Sequence, residues 1–453
     1  MSNLLEVLIT CDSNNTLWTC SIWDSHTGTN LMTYKGGGTA ENHTLSFIGS
    51  DYLAVVQKTK PVLHVWPLNS QQTVQGMRFI LPGKASAFAV TPDGSYCVAG
   101  IEEKIYLWQI SSGSLLTIIN RHYQKVNLLK FTSDGRFFIS AAEDGMVMVW
   151  SLATVAANPE VELVTQTIAG QHDPAYIFSD HSLPVTDLYI SKTGMHGRLF
   201  TVSSDRSCKV YDLTCGEMLL NLIFDEPLSA IVLDVLELNA FIGTTEGKIF
   251  QCSLTNPPRN RDVLVNNGDN MNIFSSHTKA VTCLSISLNG DILMSGSNDE
   301  QLILWHIRSR QPVRVIRHKG PITNAFFTTN YDAIYKQDFT PGIVLHSLER
   351  TLEKNSENVS EIEVLVKKDS NFWPTCGDMS IDTTHYDSFA ATEVDIVSKQ
   401  NETKLKEELE KMKLINSNLY ALSIQNTLKT IPIELEKKKI TVHKKKKNKS
   451  HLK

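Results

Sequence analysis

Residues 126–152 alternate apolar and polar side chains through three short runs, separated by Asp134-Gly135 and Asp144-Gly145. Alternation with period two marks a half-buried strand, and Asp-Gly supplies the backbone freedom a tight hairpin needs. The unit predicts three antiparallel strands, the third ending on Trp150-Ser151-Leu152. The frame returns at Ala85–Ile110 around Pro92-Asp93-Gly94, Glu102 and Trp108, and at Val185–Leu213 around Lys192-Thr193-Gly194, Asp205 and Tyr211. It returns again at Val281–Ile307 around Asn289-Gly290, Asp299 and Trp305. In all four units an acidic residue stands six positions before the aromatic one, and weaker copies place Trp23, Trp66 and Cys252 there.

The aromatic places fall at 23, 66, 108, 150, 211, 252 and 305, with steps of 43, 42, 42, 61, 41 and 53. Four of these steps match the period of about 40–45 residues of a WD-type blade. The two long steps hold segments rich in Asn, Asp, Pro or Gly near Ala153–Ser179 and Thr255–Ser275, read as loop insertions of the kind that bind partners. Seven such strands predict an all-β fold, a seven-bladed WD-repeat β-propeller over residues 1–350. Leu4–Tyr34 lacks a preceding first strand, and Pro321–Thr328 is a first strand without a Trp-ended partner, so the two termini are expected to share one blade. Ile343–Leu348 also reads as a third strand, which keeps an eight-bladed count open.

His122, His181 and His277 precede their units where such repeats carry Gly-His. In the full form His, a Ser or Thr, the turn Asp and the Trp satisfy one another in a buried hydrogen-bond chain. His277, Ser295, Asp299 and Trp305 make the complete set, and most of the other units are partial. A fixed place in a repeat makes these histidines structural rather than metal ligands or catalytic bases.

Beyond the repeats, residues 351–397 read as a linker or an extended partner-binding segment. Phe372-Trp373-Pro374, Tyr386 and Phe389 are its aromatic exceptions, either anchors for a partner or side chains packed on the propeller. Residues 398–428 carry helix signals, with Ser398 as cap and Glu402 in the first turn. Leu405, Leu409, Met412, Asn416 and Leu419 follow 4, 3, 4, 3 spacing, a coiled-coil stripe with Asn416 in its seam. The stripe fits an assembly helix that pairs with a second copy or a partner, and equally a helix docked on its own propeller. Residues 429–453 are expected to form a basic, disordered tail. Its clusters Lys437, Lys438, Lys439 and Lys444, Lys445, Lys446, Lys447 fit a nuclear-localisation signal, and RNA phosphates are a second target for such charge.

The chain has 453 residues, 42% hydrophobic and 20% charged, which suits a soluble globular protein. Its net charge of −5 conceals an asymmetry: residues 401–453 hold 14 lysines and 6 glutamates, a balance of +8, which leaves −13 on residues 1–400. An acidic body is a poor general phosphate-binding surface. No apolar run reaches the length of a membrane span, since Asp234, Glu237 and Asn239 interrupt Ala230–Gly243, and Met-Ser-Asn-Leu-Leu-Glu reads as no signal peptide. The 8 cysteines form no C-x-x-C pair and are expected as buried free thiols. G-x-x-x-x-G-K-[ST], H-E-x-x-H and G-x-S-x-G are absent, and Gly36-Gly37-Gly38 is too bare for a phosphate cradle. The expectation is a non-enzymatic binding protein with no catalytic, cofactor or metal site.

Several stretches outside the repeat frame carry a resemblance. Val7–Lys35, with Trp18-Thr-Cys-Ser-Ile-Trp23-Asp and Thr27-Gly-Thr-Asn-Leu-Met-Thr-Tyr-Lys-Gly-Gly37, resembles the WD repeat-containing protein 18 family. So do Arg121-His-Tyr-Gln124, His181-Ser-Leu-Pro-Val-Thr-Asp-Leu188, Gly216-Glu-Met-Leu-Leu220, Lys319-Gly-Pro-Ile-Thr-Asn-Ala325 and the C-terminal helix with Asn416. The resemblance spans nearly the whole chain except the two inserts, residues 351–395 and the lysine tail, which is longer than the family pattern. It implies the WD-repeat subunit of a rixosome-type complex, a scaffold in pre-60S ribosome maturation that supports processing of the second internal transcribed spacer. It implies a proline-, glutamate- and leucine-rich helical scaffold as direct partner, with a testis-expressed-ten-type subunit, the midasin ATPase and pre-60S particles as associates. It places the protein in nucleus, nucleolus and nucleoplasm, with cytoplasm as a further location, and the fungal relatives add a link to DNA replication licensing. The competing readings are a substrate receptor of a ubiquitin ligase, a chromatin or replication-licensing scaffold, and direct RNA binding.

Overall fold

Alternating strands with one apolar face must bury that face against a neighbour, and radial stacking of small sheets does so without long open edges. The computed structural model describes residues 6–14, 18–156, 173–255, 260–265, 272–336, 338–352 and 411. Among them, seven sheets, antiparallel but for one added edge strand, form a seven-bladed propeller. Counting from the N-terminus, blade 1 is Ile322–Thr329, Glu6–Asp12, Cys20–Asp24 and Asn30–Tyr34, so the last strand of the ring and the first strand of the chain pair in one sheet. Glu6–Asp12, buried at every position, lies between Ile322–Thr329 and Cys20–Asp24. Blades 2 to 7 follow in chain order, with inner strands Ser46–Ile48, Ala85–Val90, Val126–Phe131, Val185–Ile190, Leu228–Leu233 and Val281–Ile286.

Seven apolar clusters fill the seven gaps between blades. Blades 3 and 4 enclose Phe138 and Trp150, blades 4 and 5 Phe178 and Tyr211, and blades 6 and 7 Phe241, Phe274 and Trp305. The gap between blades 7 and 1 joins Leu8 to Leu302, Leu304 and Ile322, residues from both ends of the ring. Trp108, Trp150, Tyr211 and Trp305 are buried on third strands. No helix among the described residues is long and apolar enough to cross a membrane.

Two expectations change. Ile343–Leu348 is not a strand of an eighth blade. It belongs to a strap, residues 330–350, that leaves the ring after Thr329 and packs Ile343, Leu345 and Leu348 against blades 2 and 3. Its apolar spacing serves one-sided packing on other blades rather than pairing. The long inserts are not simply loops. Tyr176–Phe178 and Asn272–Ser275 are the outer strands of blades 4 and 6, and Asp262–Leu264 adds a fifth, parallel strand to blade 5. Strands of three or four residues paired on one side carry too little alternation to be read. Glu102, the acidic residue of the blade 3 frame, has no staple to join. It sits exposed at φ 54° in a two-residue turn between Ile101 and Lys104, and Leu81 occupies the place where blade 3 would need its histidine.

The chain separates into Met1–Lys368, which contains the propeller, and Asp369–Lys453. Leu405, Leu409, Met412, Asn416, Leu419, both lysine clusters and the aromatic residues of 353–397 lie outside the described residues.

Candidate interaction site on the stapled rim

Strand alternation puts a Ser or Thr of the second strand and the aromatic residue of the third on the same face. In blade 7, Ser295 pairs Ile303 while Trp305 pairs Leu293, and the Trp305 indole donates to Ser295 Oγ at 2.8 Å. His277 reaches Ser295 Oγ through Nε2 at 2.8 Å and Asp299 Oδ2 through Nδ1 at 2.9 Å. Blade 4 repeats this with His122, Ser140, Asp144 and Trp150 at 2.8, 3.1 and 2.9 Å. Blade 5 joins His181 to Thr201 and Asp205 at 2.8 Å each, and Tyr211, lacking an indole, donates its hydroxyl to Asp180 at 3.0 Å.

Sequence reasoning missed a fourth histidine. His122, His181 and His277 each stand four residues before an inner strand, and His318 stands four before Ile322. Its partners come from the other end of the chain: Asp12 lies 3.6 Å from Nδ1, and the Trp23 ring meets the imidazole edge-on at 5.6 Å. The half-buried Trp23 donates to Thr10 Oγ1 at 2.8 Å, as Trp305 does to Ser295. Spacing to the inner strand was the available signal, hidden because this unit is split between the termini.

Blades 2 and 3 place Val55 and Ala99 where the hydroxyl belongs, so their indoles turn elsewhere. Trp66 donates to Lys35 O at 2.8 Å, and Trp108 to Glu349 O of the strap at 2.7 Å. In blade 6, Cys252 fills the aromatic place, and Lys248 bonds Glu226 and Glu246.

The order Asp–His–Ser also occurs in hydrolase triads, where the hydroxyl attacks a substrate. Here Ser140, Thr201 and Ser295 are wholly buried, and an indole already donates to both serines. The arrangement is a staple. Burial favours the neutral carboxyl, but the hydrogen bond from His122 and the N–H groups of Met146 and Tyr123 outweigh it and hold Asp144 below the ordinary carboxylate range. Against the same effect of burial, His277 does this for Asp299, and His181 with Ser207 for Asp205.

The same carboxylates fix the outward loop. Asp144 accepts the N–H of Tyr123 at 3.1 Å, Asp205 that of Ser182 at 3.3 Å and Asp299 that of Thr278 at 3.1 Å. Tyr123 is 79% exposed on this anchored backbone, and Leu183 is exposed beside Ser182. A large exposed side chain on a rigid loop meets a partner with little ordering cost. At the inner strands, Asp187 ties three blades, accepting Lys130 Nζ at 3.0 Å and the Ile231 N–H at 3.0 Å. No group of three His, Cys, Asp or Glu side chains among the described residues is placed to hold a metal. Cys11, Cys20, Cys97, Cys208, Cys252 and Cys283 are buried free thiols, and Cys215 is exposed.

Asp299→Ala is expected to destabilise the propeller by about 1–3 kcal/mol, because His277 and the Thr278 N–H lose their acceptor. A carboxyl depressed in the folded state stabilises fully above its unfolded pKa, and that contribution fades as pH falls toward the folded value. Thermal melts should therefore show the gap between parent and Asp299→Ala narrowing below about pH 4. A gap that is zero at pH 7 would mean that the staple contributes nothing, and one constant down to pH 3 would mean that the ionised Asp299 carboxylate is not its source.

The WD domain, G-beta repeat family matches residues 113–151, 172–212 and 268–306, the segments that end on the third strands of blades 4, 5 and 7. WD repeat-containing protein 18 of Rattus norvegicus is 38% identical over 347 residues, 76% of this chain and 78% of that protein. Its counterpart in Danio rerio is 34% identical over 358 residues, 79% of this chain and 81% of that protein. Pre-rRNA-processing protein pro-1 of Caenorhabditis briggsae is 26% identical over 405 residues, 86% of this chain and 73% of that protein. At 38% identity over 76% of its length to the rat protein, the chain belongs to the WD repeat-containing protein 18 family.

Proposed function

We propose that this chain is a non-enzymatic scaffold in pre-rRNA processing, working within a nuclear complex that matures pre-60S particles. The observation that carries the reading is the match to a pre-rRNA-processing protein over 86% of the chain. The staples support the scaffold half of the reading: the propeller's most reactive-looking side chains are consumed in holding strands together, and exposed loops such as that of Tyr123 are left for partners. A proline-, glutamate- and leucine-rich helical protein is the proposed direct partner, with a testis-expressed-ten-type subunit and the midasin ATPase in the same assembly. Lys437–Lys439 and Lys444–Lys447 are proposed to direct nuclear import, with RNA contact as a second use of the tail.

Depletion of the protein, followed by hybridisation with a probe to the second internal transcribed spacer, tests this. Precursors containing the spacer should accumulate at least several-fold and return to normal with the re-expressed chain. Unchanged precursors, together with co-purification of ligase adaptors instead of ribosome precursors, would replace the reading with that of a ubiquitin-ligase receptor.

A further inference from the structure

The turns between first and second strands form one face of the ring, opposite the stapled loops. Five of them share a polar design with a left-handed glycine: Gly49-Ser50-Asp51, Pro92-Asp93-Gly94, Ser133-Asp134-Gly135, Thr193-Gly194 and Asn289-Gly290, with φ of 56°, 76°, 69°, 66° and 74°. Blade 6 departs from it. Its turn reads Asp234-Val235-Leu236-Glu237-Leu238, and Glu237 occupies the left-handed place at φ 55°. Val235, Leu236 and Leu238 are all exposed, Leu236 at 73%. Leu288 of the neighbouring blade 7 turn is exposed as well, and Val235, Leu236 and Leu288 line one groove of about 550 Å³ between the two blades.

The rim of this groove repeats the departure. In the turns between third and fourth strands, Gly28, Gly113 and Gly216 donate their N–H four residues back, at φ 71°, 75° and 73°. In blade 7, Arg310 makes that same bond to His306 at φ 58°. A Cβ crowds the following carbonyl oxygen in this conformation, so glycine would serve the fold better at both places. Glu237 has a structural use, accepting Ser191 Oγ at 2.6 Å and the Lys192 N–H at 3.3 Å. Arg310 has none: among the described residues no carboxylate pairs with it, while Arg308 beside it lies 4.0 Å from Asp291. Left-handed Glu102, Arg206 and Glu300 occur on the opposite face, so strain alone does not mark a site. The groove is marked by the coincidence of strain, clustered apolar side chains in water and an unpaired guanidinium.

We infer that the groove between blades 6 and 7 docks a peptide segment of a partner protein, one that sets leucine-like side chains on Val235, Leu236 and Leu288 and a carboxylate on Arg310. The apolar lip offers nothing to a phosphate backbone. Of the other charged side chains lining the groove, Asp291 lies beside Arg308 and Asp234 accepts the Val235 N–H at 2.7 Å, which leaves the Arg310 guanidinium for a carboxylate of the occupant. This rests on the scaffold reading and names the chemistry of one of its contacts.

A phage-displayed library of random dodecapeptides, selected on the purified full chain, provides the probe. Recovered peptides should combine two or more Leu, Ile, Phe or Met with Asp or Glu. Synthetic copies should bind at least ten-fold more weakly to Leu236→Asp and to Arg310→Gly. The second variant separates function from structure, because restoring glycine should leave the melting temperature unchanged or raise it. The inference fails if no peptide is recovered, if the peptides are basic, or if both variants bind them as tightly as the parent. It fails too if a fluorescent twelve-nucleotide uridine RNA binds the groove in an Arg310-dependent way. These readouts use the isolated chain, so their failure leaves the spacer-processing assay untouched, and a failure of that assay leaves peptide binding standing.

Discussion

Ile9→Asp is expected to cost more than about 4 kcal/mol and to remove most soluble, folded protein from expression. Ile9 is fully buried in the second strand of blade 1, facing Phe326 on one side and Ile22 on the other. An ionised carboxylate there has neither water nor a cation, and the desolvation cost is not returned by any partner. The position matters beyond its own contacts. Glu6–Asp12 is the one strand that carries the N-terminus into the sheet begun by Ile322–Thr329, and losing it uncovers the edge of that strand. It also removes Glu6, whose buried carboxylate accepts the Ser287 hydroxyl and the Leu288 N–H of blade 7, each at 2.9 Å. The control is Val313→Asp, on the exposed outer strand of blade 7, which should change stability by less than about 0.5 kcal/mol. Urea midpoints and soluble yield distinguish the two. If Ile9→Asp unfolded within about 0.5 kcal/mol of the parent, the seam would not hold the ring.

How much of this was legible follows from where the information lies along the chain. Blades 4, 5 and 7 keep strands, turns and staple in one continuous stretch, so alternation and the spacing of His, Asp and aromatic residue reveal them. Blade 1 has the same staple, but His318 and Asp12 stand at opposite ends of the sequence, and only the four-residue offset to Ile322 ties them. Trp66 and Trp108 announce their blades, yet their acceptors, Lys35 O and Glu349 O, are backbone groups that leave no residue-type signal. The groove between blades 6 and 7 is visible only after strands are in register, since Val235-Leu236 reads as part of an apolar run until Ala240 is seen to pair Leu233. An apolar residue announces burial by its type; whether the fold leaves it in water is decided by register.

The strap is the least legible element, and Leu345→Asp is expected to release it while the propeller stays folded. Ile343, Leu345 and Leu348 bury against blades 2 and 3, where each such side chain is worth about 1.5–3 kcal/mol against exposure. Polar contacts add to this: Asp51 accepts the N–H groups of Gly342 and Ile343 at 2.8 and 2.9 Å, and Glu349 bonds Gly113 through its N–H at 2.9 Å. A Cβ on Gly113 would meet Ser347 O at 2.3 Å, so the approach requires glycine on steric grounds, and its φ of 75° requires it on conformational grounds. Ordering the strap costs about 1–2 kcal/mol per residue, which leaves its net docking energy small. A charge at Leu345 therefore has an escape that a charge at Ile9 lacks: the segment detaches without opening any blade. The cost is capped at the docking energy, and the melting temperature of the ring should fall only modestly. Cleavage within residues 338–352 by a broad-specificity protease should rise at least ten-fold, because local opening exposes the segment. Trp108 should report the same event by red-shifted emission, since its indole loses Glu349 O and gains water. Unchanged cleavage and emission would show that the strap does not depend on Leu345, whereas cooperative loss of the whole propeller would make the strap an integral part of the ring rather than a latch laid across it.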